Sequence, residues 1–590
     1  MAKVSNLPKT ASHVIANNDV VCLWWSIPAK IKNCLGFSIH RIVDGREKAL
    51  PAYVGFDAED DPRKKTQTTD VWPIQSFNWK DVYAPIDKDI YYKIIPMVGH
   101  WLDLRPDHAN TIVTEKVRRT QTYNNINVIF NRGMLSTQAV AKLELTSDQV
   151  RELISSPDQQ LRLRLGGHMI RSARAFFKQD QDGGCFYAAL YEFTDEELIA
   201  LLTKNPKNHI ILSNANGSGT KTVDGKKKTV TVIDKTNAKI RKALHKKMKQ
   251  GQISVYDRML GTRIGHNKFV IYVDKKNKPV SVLTGSTNWT PTGLCGQTNN
   301  MVIINSKKVA TAFMDYWNQL KDDKNQDAVL RTWCNGKTFS SREQGNRVRL
   351  WFSPNTPQKT KPKTPAVPID MADVFKQIQK AKKSILFLVF NPGSPSILDE
   401  IKTVADARKD KNPLFVRGAI SDAKIAQKVI TSIYSTDALE RPDAYKVGRP
   451  EVTGVAAVPD TFSYWEKELL KLGFSTIHDK ILVIDPFDTS CKVITGSHNL
   501  GYKASYSNDE NMVILEGNPE IAKAYATHIL DVVNHFKWRY KLQQKVKGVK
   551  GDAKRKEALE TAWHDLDETD KWMNYYFSDD YIDRYRLFLR

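Results

Sequence analysis

One frame occurs twice in this chain of 590 residues. Residues 265–274 read Gly-His-Asn-Lys-Phe-Val-Ile-Tyr-Val-Asp and lead to Thr284-Gly285-Ser286-Thr287-Asn288. Residues 477–485 read Ile-His-Asp-Lys-Ile-Leu-Val-Ile-Asp and lead to Thr495-Gly496-Ser497-His498-Asn499. Such a repeat implies two copies of one lobe. His266 and Lys268 stand 212 positions before His478 and Lys480, whereas Asp274, Gly285, Asn288 and Asn299 stand 211 before Asp485, Gly496, Asn499 and Glu510. The first copy therefore carries one extra residue between Lys268 and Asp274. In a strand an extra residue reverses every later side chain unless a bulge absorbs it, so a bulge is predicted within residues 269–273.

His-x-Lys on a strand turns an imidazole and an ammonium to the same face, a pairing suited to phosphate. The Gly285-Ser286-x-Asn288 and Gly496-Ser497-x-Asn499 turns add a hydroxyl, an amide and closely approachable backbone, all donors for phosphoryl oxygens. Two copies face to face surround one phosphodiester with two histidines, two lysines and two asparagines. One imidazole can attack phosphorus while the other protonates the leaving oxygen. A lone His-x-Lys is usually an ordinary strand edge; its recurrence with Asp and Gly-Ser-x-Asn downstream points to catalysis. Eleven residues past each asparagine the copies diverge, with Asn299 before Asn300-Met301-Val302-Ile303 and Glu510 before Asn511-Met512-Val513-Ile514. A carboxylate fixes an imidazole's tautomer and offsets its developing charge, while an amide orients it with less effect on its pKa. Both residues also suit an ordinary polar strand start.

These repeats resemble the HKD motifs of the phospholipase D superfamily, His-x-Lys-x4-Asp followed by Gly-Ser-x-Asn. The second copy fits throughout; the first departs at the extra residue, which touches Asp274 more than His266 or Lys268. The resemblance covers roughly residues 124–536. It implies an α/β fold of two similar α/β/α sandwich lobes with the site at their interface, a phosphohistidine intermediate, and neither a metal nor another cofactor. In related two-lobed enzymes the diverging residue reaches across to the other lobe's histidine. Carried over, Glu510 supports His266 as nucleophile and Asn299 supports His478 as general acid. Lys268, Lys480, Asn288 and Asn499 complete the catalytic set, Gly285, Ser286, Gly496 and Ser497 shape the phosphate turns, and Asp274 and Asp485 support them.

At 590 residues the chain exceeds what one core sustains. Residues 1–120 read as short strands broken by turns, including 13–27, 36–43 and 89–98, and resemble a small fibronectin type III-like β-sandwich. Its tryptophans, Trp24, Trp25, Trp72, Trp79 and Trp101, read as core. Strands then alternate with helices, giving a first lobe at 121–345 with its motif at 266–288 and a second at 346–540 with its motif at 478–499. Thr194-Asp195-Glu196-Glu197 reads as a capping box opening a helix, and the Pro- and Lys-rich stretch 354–368 as a linker. Residues 541–590 form an extension, first basic and then aromatic and acidic.

A hydrophobic content of 41% with 26% charged residues excludes a mostly disordered or membrane-embedded chain. Apolar runs such as 385–390 are strand-sized, so no transmembrane segment is expected. Residues 1–9 show no apolar secretion signal, and the expected location is cytoplasmic, with signal-free export or a mature secreted form equally compatible. Six scattered cysteines fit reduced thiols, and no cluster of His and carboxylates has metal-ligand spacing.

The 89 Lys and Arg outnumber 65 Asp and Glu, a net charge of +24 that draws polyanions. Eleven cations against two anions fall within 221–249, including Lys226, Lys227, Lys228, Lys246 and Lys247. They suit an anionic membrane surface or a nucleic-acid backbone, and equally a solvated face. Two motifs in one chain resemble the lipid-acting enzymes of the superfamily, and no nucleic-acid-binding module or aromatic ladder accompanies the basic run. The expectation is a phospholipase D-type phosphodiesterase and transphosphatidylase, acting on phospholipid at an anionic membrane surface. The alternative is a metal-independent nucleic-acid phosphodiesterase. With both site halves in one chain, the oligomeric state stays open.

Overall fold

Each copy of the repeat occupies the middle of a large mixed sheet, and the two sheets have the same strand order. A computed structural model describes residues 9–56, 63, 66–132, 145–214, 217–223, 226–232, 236–261, 263–336, 338–408, 412–421, 451–454, 477–546, 565–578 and 588. The first sheet runs Thr122–Tyr123, Ile126–Phe130, Asn300–Ile304, Pro279–Gly285, Lys268–Val273, Cys185–Leu190, His209–Asn214, Ser254–Met259. The second runs Phe339–Glu343, Asn346–Ser353, Asn508–Glu516, Lys492–Gly496, Lys480–Ile484, Ser384–Val389, Phe415–Ile420, Glu451–Gly454. The last three strands of each list are parallel neighbours. Strands such as Lys480–Ile484 are apolar beyond their lysine because both faces of the sheet are covered.

Helices Lys307–Asp322 and Pro519–Val546 share one core with the inner faces of both sheets, where Phe313, Tyr316 and Tyr525 meet Val282, Val302, Leu386 and Val483. Ser306 starts the first of these helices by accepting a hydrogen bond from the Val309 N–H. The outer faces are covered separately, around Leu165, Met169 and Phe177 in the first lobe and around Met371, Val374 and Ile401 in the second. The result is two α/β/α lobes joined through a common interior.

The N-terminal region is all β. Strands Ala11–Ala16, Val21–Ser26 and Asn78–Asp81 form one sheet; Cys34–Val43, Arg46–Ala49 and Asp89–His100 anchor a second. Trp25, Phe37, Phe77 and Tyr92 fill the space they share. The stretch 13–27 is two strands, because the Asn17 side chain accepts hydrogen bonds from the Asp19 and Val20 N–H groups and turns the chain back. Asn18 bonds both ways with the Phe130 backbone, tying this region to the first lobe. Residues 565–578 return to it: Trp572 stacks on Phe77 and donates its indole N–H to the Cys34 carbonyl at 2.9 Å. Phe588 stacks on Trp24 at 4.2 Å between ring centres.

Several sequence boundaries move. The helix after Cys185–Leu190 is capped by Asp195, one residue later than a Thr194 capping box implies, because Arg162 holds the Asp195 carboxylate while it accepts from the Leu198 N–H. Strand Phe339–Glu343, assigned to the first lobe, lies in the second sheet, and helix Pro519–Val546 runs through residue 540. The register slip falls within 269–273, between Tyr272 and Val273, but the residue left unpaired is on the opposite strand. Lys268–Val273 pairs without interruption along Cys185–Leu190, and the slip lies in its pairing with the next strand, where Tyr272 faces Ser281 but Val273 faces Pro279. Val280 is thus the unpaired residue, on the opposite strand. Pro279 has no N–H to give a ladder, so a slip beside it sacrifices no donor.

Candidate active site

The two motif strands start by pairing across the lobes. The His266 N–H donates to the Asp509 carbonyl at 2.9 Å, and the His478 N–H to the Thr298 carbonyl at 3.0 Å. The exchange is reciprocal in the side chains: Thr284 donates to Asn511 at 2.8 Å and Asn300 to Thr495 at 2.9 Å. Arg258 closes the junction from below, buried and bonded to both oxygens of Asp509 and to Asp323. Residues from the two sheets are thereby set face to face about an approximate twofold.

Within this junction the histidines are held differently. His266 Nδ1 lies 2.9 and 3.0 Å from the two Glu510 carboxylate oxygens, whereas His478 Nδ1 lies 3.0 Å from the Asn299 amide oxygen. Both acceptors call for a hydrogen on Nδ1, which leaves each Nε2 as the working nitrogen. The holders are themselves held: Asn508 donates to Glu510, Ser286 donates to the Asn299 oxygen at 2.9 Å, and Asn299 donates to the Gly293 carbonyl. Lys268 and Lys480 each donate to the carbonyl of their own histidine at 2.6 Å, with Tyr191 and Phe390 ring faces 5.3 and 5.2 Å from their Nζ atoms.

Burial governs the charges. It pushes the His266 imidazole down to about 4 despite the opposing pull of Glu510, and holds His478 well below its usual value, with Lys480 and Lys268 adding repulsion. Burial would raise the Glu510 carboxyl, but His266 and Lys268 outweigh it and hold it down to about 2. Burial lowers Lys268 to about 7, and burial with added repulsion from Lys268 holds Lys480 well below its usual value. At neutral pH these shifts give an ionised Glu510 beside neutral imidazoles, each with an Nε2 lone pair. A phosphate anion arriving among these groups favours their protonated forms.

The turns are built into the sheets. A Cβ on Gly285 would lie 2.3 Å from the Asn300 carbonyl oxygen and one on Gly496 2.4 Å from that of Asn511, so these glycines admit a neighbouring strand. The Ser286 and Ser497 hydroxyls accept from the Asn300 and Asn511 N–H groups at 3.0 Å. These four residues make their contacts within the protein, to Asn299, Asn300 and Asn511. Asn288 donates to Glu192 at 2.6 Å, and among the described residues the buried Asn288 and Asn499 side-chain oxygens have no hydrogen-bond partner. Asp485 accepts from the Lys382, Lys383 and Ser384 N–H groups at 2.7 to 2.8 Å, anchoring the neighbouring strand, whereas Asp274 accepts from Lys276 and Lys278 in its own turn. The extra residue carries Asp274 one place beyond the rung that Asp485 occupies.

The basic residues stand apart from these groups. Lys246 and Lys247 lie in the last turn of helix Ala238–Lys249, whose cap residue Asn237 bonds the Tyr191 and Ser213 carbonyls near the histidines. Nine or ten residues along a helix put them roughly 13–15 Å away. Lys226, Lys227 and Lys228 lie on strand Lys226–Val232 with side chains outside the described residues, as are the side chains of the basic stretch 541–556. Sequence reasoning missed Tyr191, Phe390 and Glu192. Lys268 pairs with Leu190 and Lys480 with Val389, so the aromatics follow matching rungs and an alignment of the two lobes would have exposed them. It also missed His498, whose Nε2 lies 3.1 Å from Ser505 and whose Nδ1 accepts from the Leu500 N–H, stiffening the turn around Asn499. No helix among the described residues is long and apolar enough to cross a membrane.

The family described as "Cardiolipin synthase, PLD-like domain" matches residues 185–321 and 374–532, half of the chain and the parts that carry both motifs. Among solved structures, phosphatidylserine synthase of Haemophilus influenzae is similar at 12% identity and a TM-score of 0.40, over 70% of this chain and 87% of that one. Nuc of Salmonella typhimurium, described as a phospholipase D family member, shares 18% identity at a TM-score of 0.21, over 32% of this chain and 95% of Nuc. Polyphosphate kinase of Porphyromonas gingivalis shares 10% identity at a TM-score of 0.34 over 74% of this chain, which spans 55% of that kinase. No curated protein sequence matches the chain.

Proposed function

The chain belongs to the PLD-like domain family of the phospholipase D superfamily, and from that premise we propose that it is a phosphodiesterase that hydrolyses or transfers the phosphatidyl group of phospholipids. The observation that carries this reading is the unequal clamping of the two histidines, His266 by a carboxylate and His478 by an amide. His266 Nε2 attacks phosphorus, the ester P–O bond breaks, and protonated His478 gives its proton to the leaving oxygen. Water or an alcohol, deprotonated by His478, then attacks the phosphohistidine and breaks its P–N bond. Glu510 offsets the positive charge on His266 while phosphorus is attached, and Lys268, Lys480, Asn288 and Asn499 hold the non-bridging oxygens. A nucleic-acid diester is the second reading, since the exposed lysines of helix Ala238–Lys249 suit a nucleic-acid backbone as well as an anionic membrane surface.

The decisive experiment uses an activated p-nitrophenyl phosphodiester in EDTA. His266→Ala should form no covalent adduct. His478→Ala should still release p-nitrophenolate, which needs no proton, and should accumulate phosphorus on His266, located by peptide mass spectrometry. An adduct on His478, or none in either variant, overturns the assignment. Parallel assays with phosphatidylglycerol vesicles and with single- and double-stranded DNA separate lipid from nucleic acid.

A further inference from the structure

One anion beside the histidines has no part in the chemistry above. Glu192 follows strand Cys185–Leu190, two residues past the Leu190 rung that faces Lys268. Its neighbour Tyr191 packs edge-on against His266, with ring centres 5.0 Å apart. Glu192 accepts from the Asn288 amide at 2.6 Å, and its charge is felt by both Lys268 and Lys480. It thus engages three of the groups that a phosphoryl group would need. The second lobe has no counterpart: two residues past the Val389 rung, which faces Lys480, stands the exposed, uncharged Asn391.

The consequence is one of charge. An arriving phosphate anion favours the protonated form of the two lysines that burial otherwise lowers, and Glu192 sets a negative charge beside them and beside Asn288. A phosphodiester adds one negative charge. A phosphomonoester, with its second pKa near 6, adds almost two above neutral pH. Repulsion from a fixed carboxylate grows in proportion to the charge of the arriving anion, so Glu192 disfavours the dianion about twice as strongly, in free energy, as the monoanion.

We propose that Glu192 is a specificity-determining residue that sets this pocket for monoanionic phosphodiesters and against dianionic phosphomonoesters. The inference rests on the phosphodiesterase reading given above. When water resolves the phosphohistidine, a new P–O bond forms, the P–N bond to His266 breaks, and one water proton passes to His478. The product is a phosphomonoester, which gains its second negative charge by losing a proton. That product is the anion Glu192 expels.

The test needs no turnover. Calorimetry on the full chain at pH 8 compares inorganic phosphate, a dianion, with dimethyl phosphate, a monoanion. Glu192→Gln keeps an oxygen for the Asn288 N–H and removes the charge. It should bind inorganic phosphate at least tenfold more tightly, about 1.4 kcal/mol, and dimethyl phosphate no more than about threefold more tightly. Glu192→Asp should stay within about threefold of the unchanged protein for both, and Glu192→Ala provides a second uncharged variant should the glutamine form fail to fold. Equal tightening of both anions would mean that Glu192 merely occupies the phosphate position, and it overturns the proposal, as do unchanged or weakened phosphate binding. Failure of the phosphodiesterase reading appears separately, as absence of p-nitrophenolate release by the unchanged protein.

Discussion

His266 and Glu510 form the pair on which the chemistry and the pH response both turn. Glu510 is the group that raises the His266 pKa against burial. Glu510→Gln removes that support, so the imidazole pKa falls further, and the acid limb of kcat/KM moves to lower pH. The same change leaves the charge on a phosphorylated His266 uncompensated, and kcat should fall by about a hundredfold or more, measured on a p-nitrophenyl diester across pH 4 to 8. Stability follows the same groups. An unfolded histidine titrates near 6.5 and His266 near 4, so below 6.5 the unfolded chain binds a proton that the folded one refuses. The contribution is intact above that pH and lost towards 4, amounting to about 3 kcal/mol for His266. His478 is shifted in the same sense, and Glu510 extends the loss from about 4.5 towards 2. Melting temperature should therefore drop between pH 7 and 5, and drop less steeply in His266→Asn.

At the scale of strands and turns, equal motif letters do unequal work. Asp485 is buried and holds three N–H groups at the start of strand Ser384–Val389, while Asp274 caps two in a partly exposed turn. Asp485→Ala should cost about 2–4 kcal/mol and Asp274→Ala under about 1, measured by urea unfolding. The motif residues were legible because chemistry repeats at fixed spacing, and so were the two lobes. The extra residue was legible as a count but not as a place, since a count cannot tell which side of a hairpin absorbs it. The glycines and serines looked like ligand donors because their partners at Asn300 and Asn511 are 14 to 15 positions away, on the next strand. Glu192 was hidden for the opposite reason: a single carboxylate whose place in the other lobe is taken by Asn391 gives no pattern until the Leu190 and Val389 rungs are aligned.

Across the whole molecule, the lobes are fastened by buried polar residues set in an apolar interior, and Arg258 is one that mutation can test directly. Replacing it leaves the fully buried Asp509 without its counter-ion and with only the Gln326 amide donating to its side chain among the described residues, while its own carbonyl receives the His266 N–H. Arg258→Met should lose about 3–5 kcal/mol in denaturant titration and most activity with it, and the double change with Asp509→Asn should recover part of the stability. The N-terminal region is fastened by the other end of the chain, Trp572 to Cys34 and Phe588 to Trp24. The bond from Trp572 spans 538 positions, and a ribosome adding 5–20 residues per second covers that distance in roughly 30–110 seconds. Through that interval the faces of Phe37 and Phe77 that Trp572 covers are bare in the nascent chain. Ribosomes stalled before residue 565 should display an N-terminal region that protease cuts, and released full-length protein one that resists, so that for its earliest-made strands maturity comes only after translation has passed Trp572.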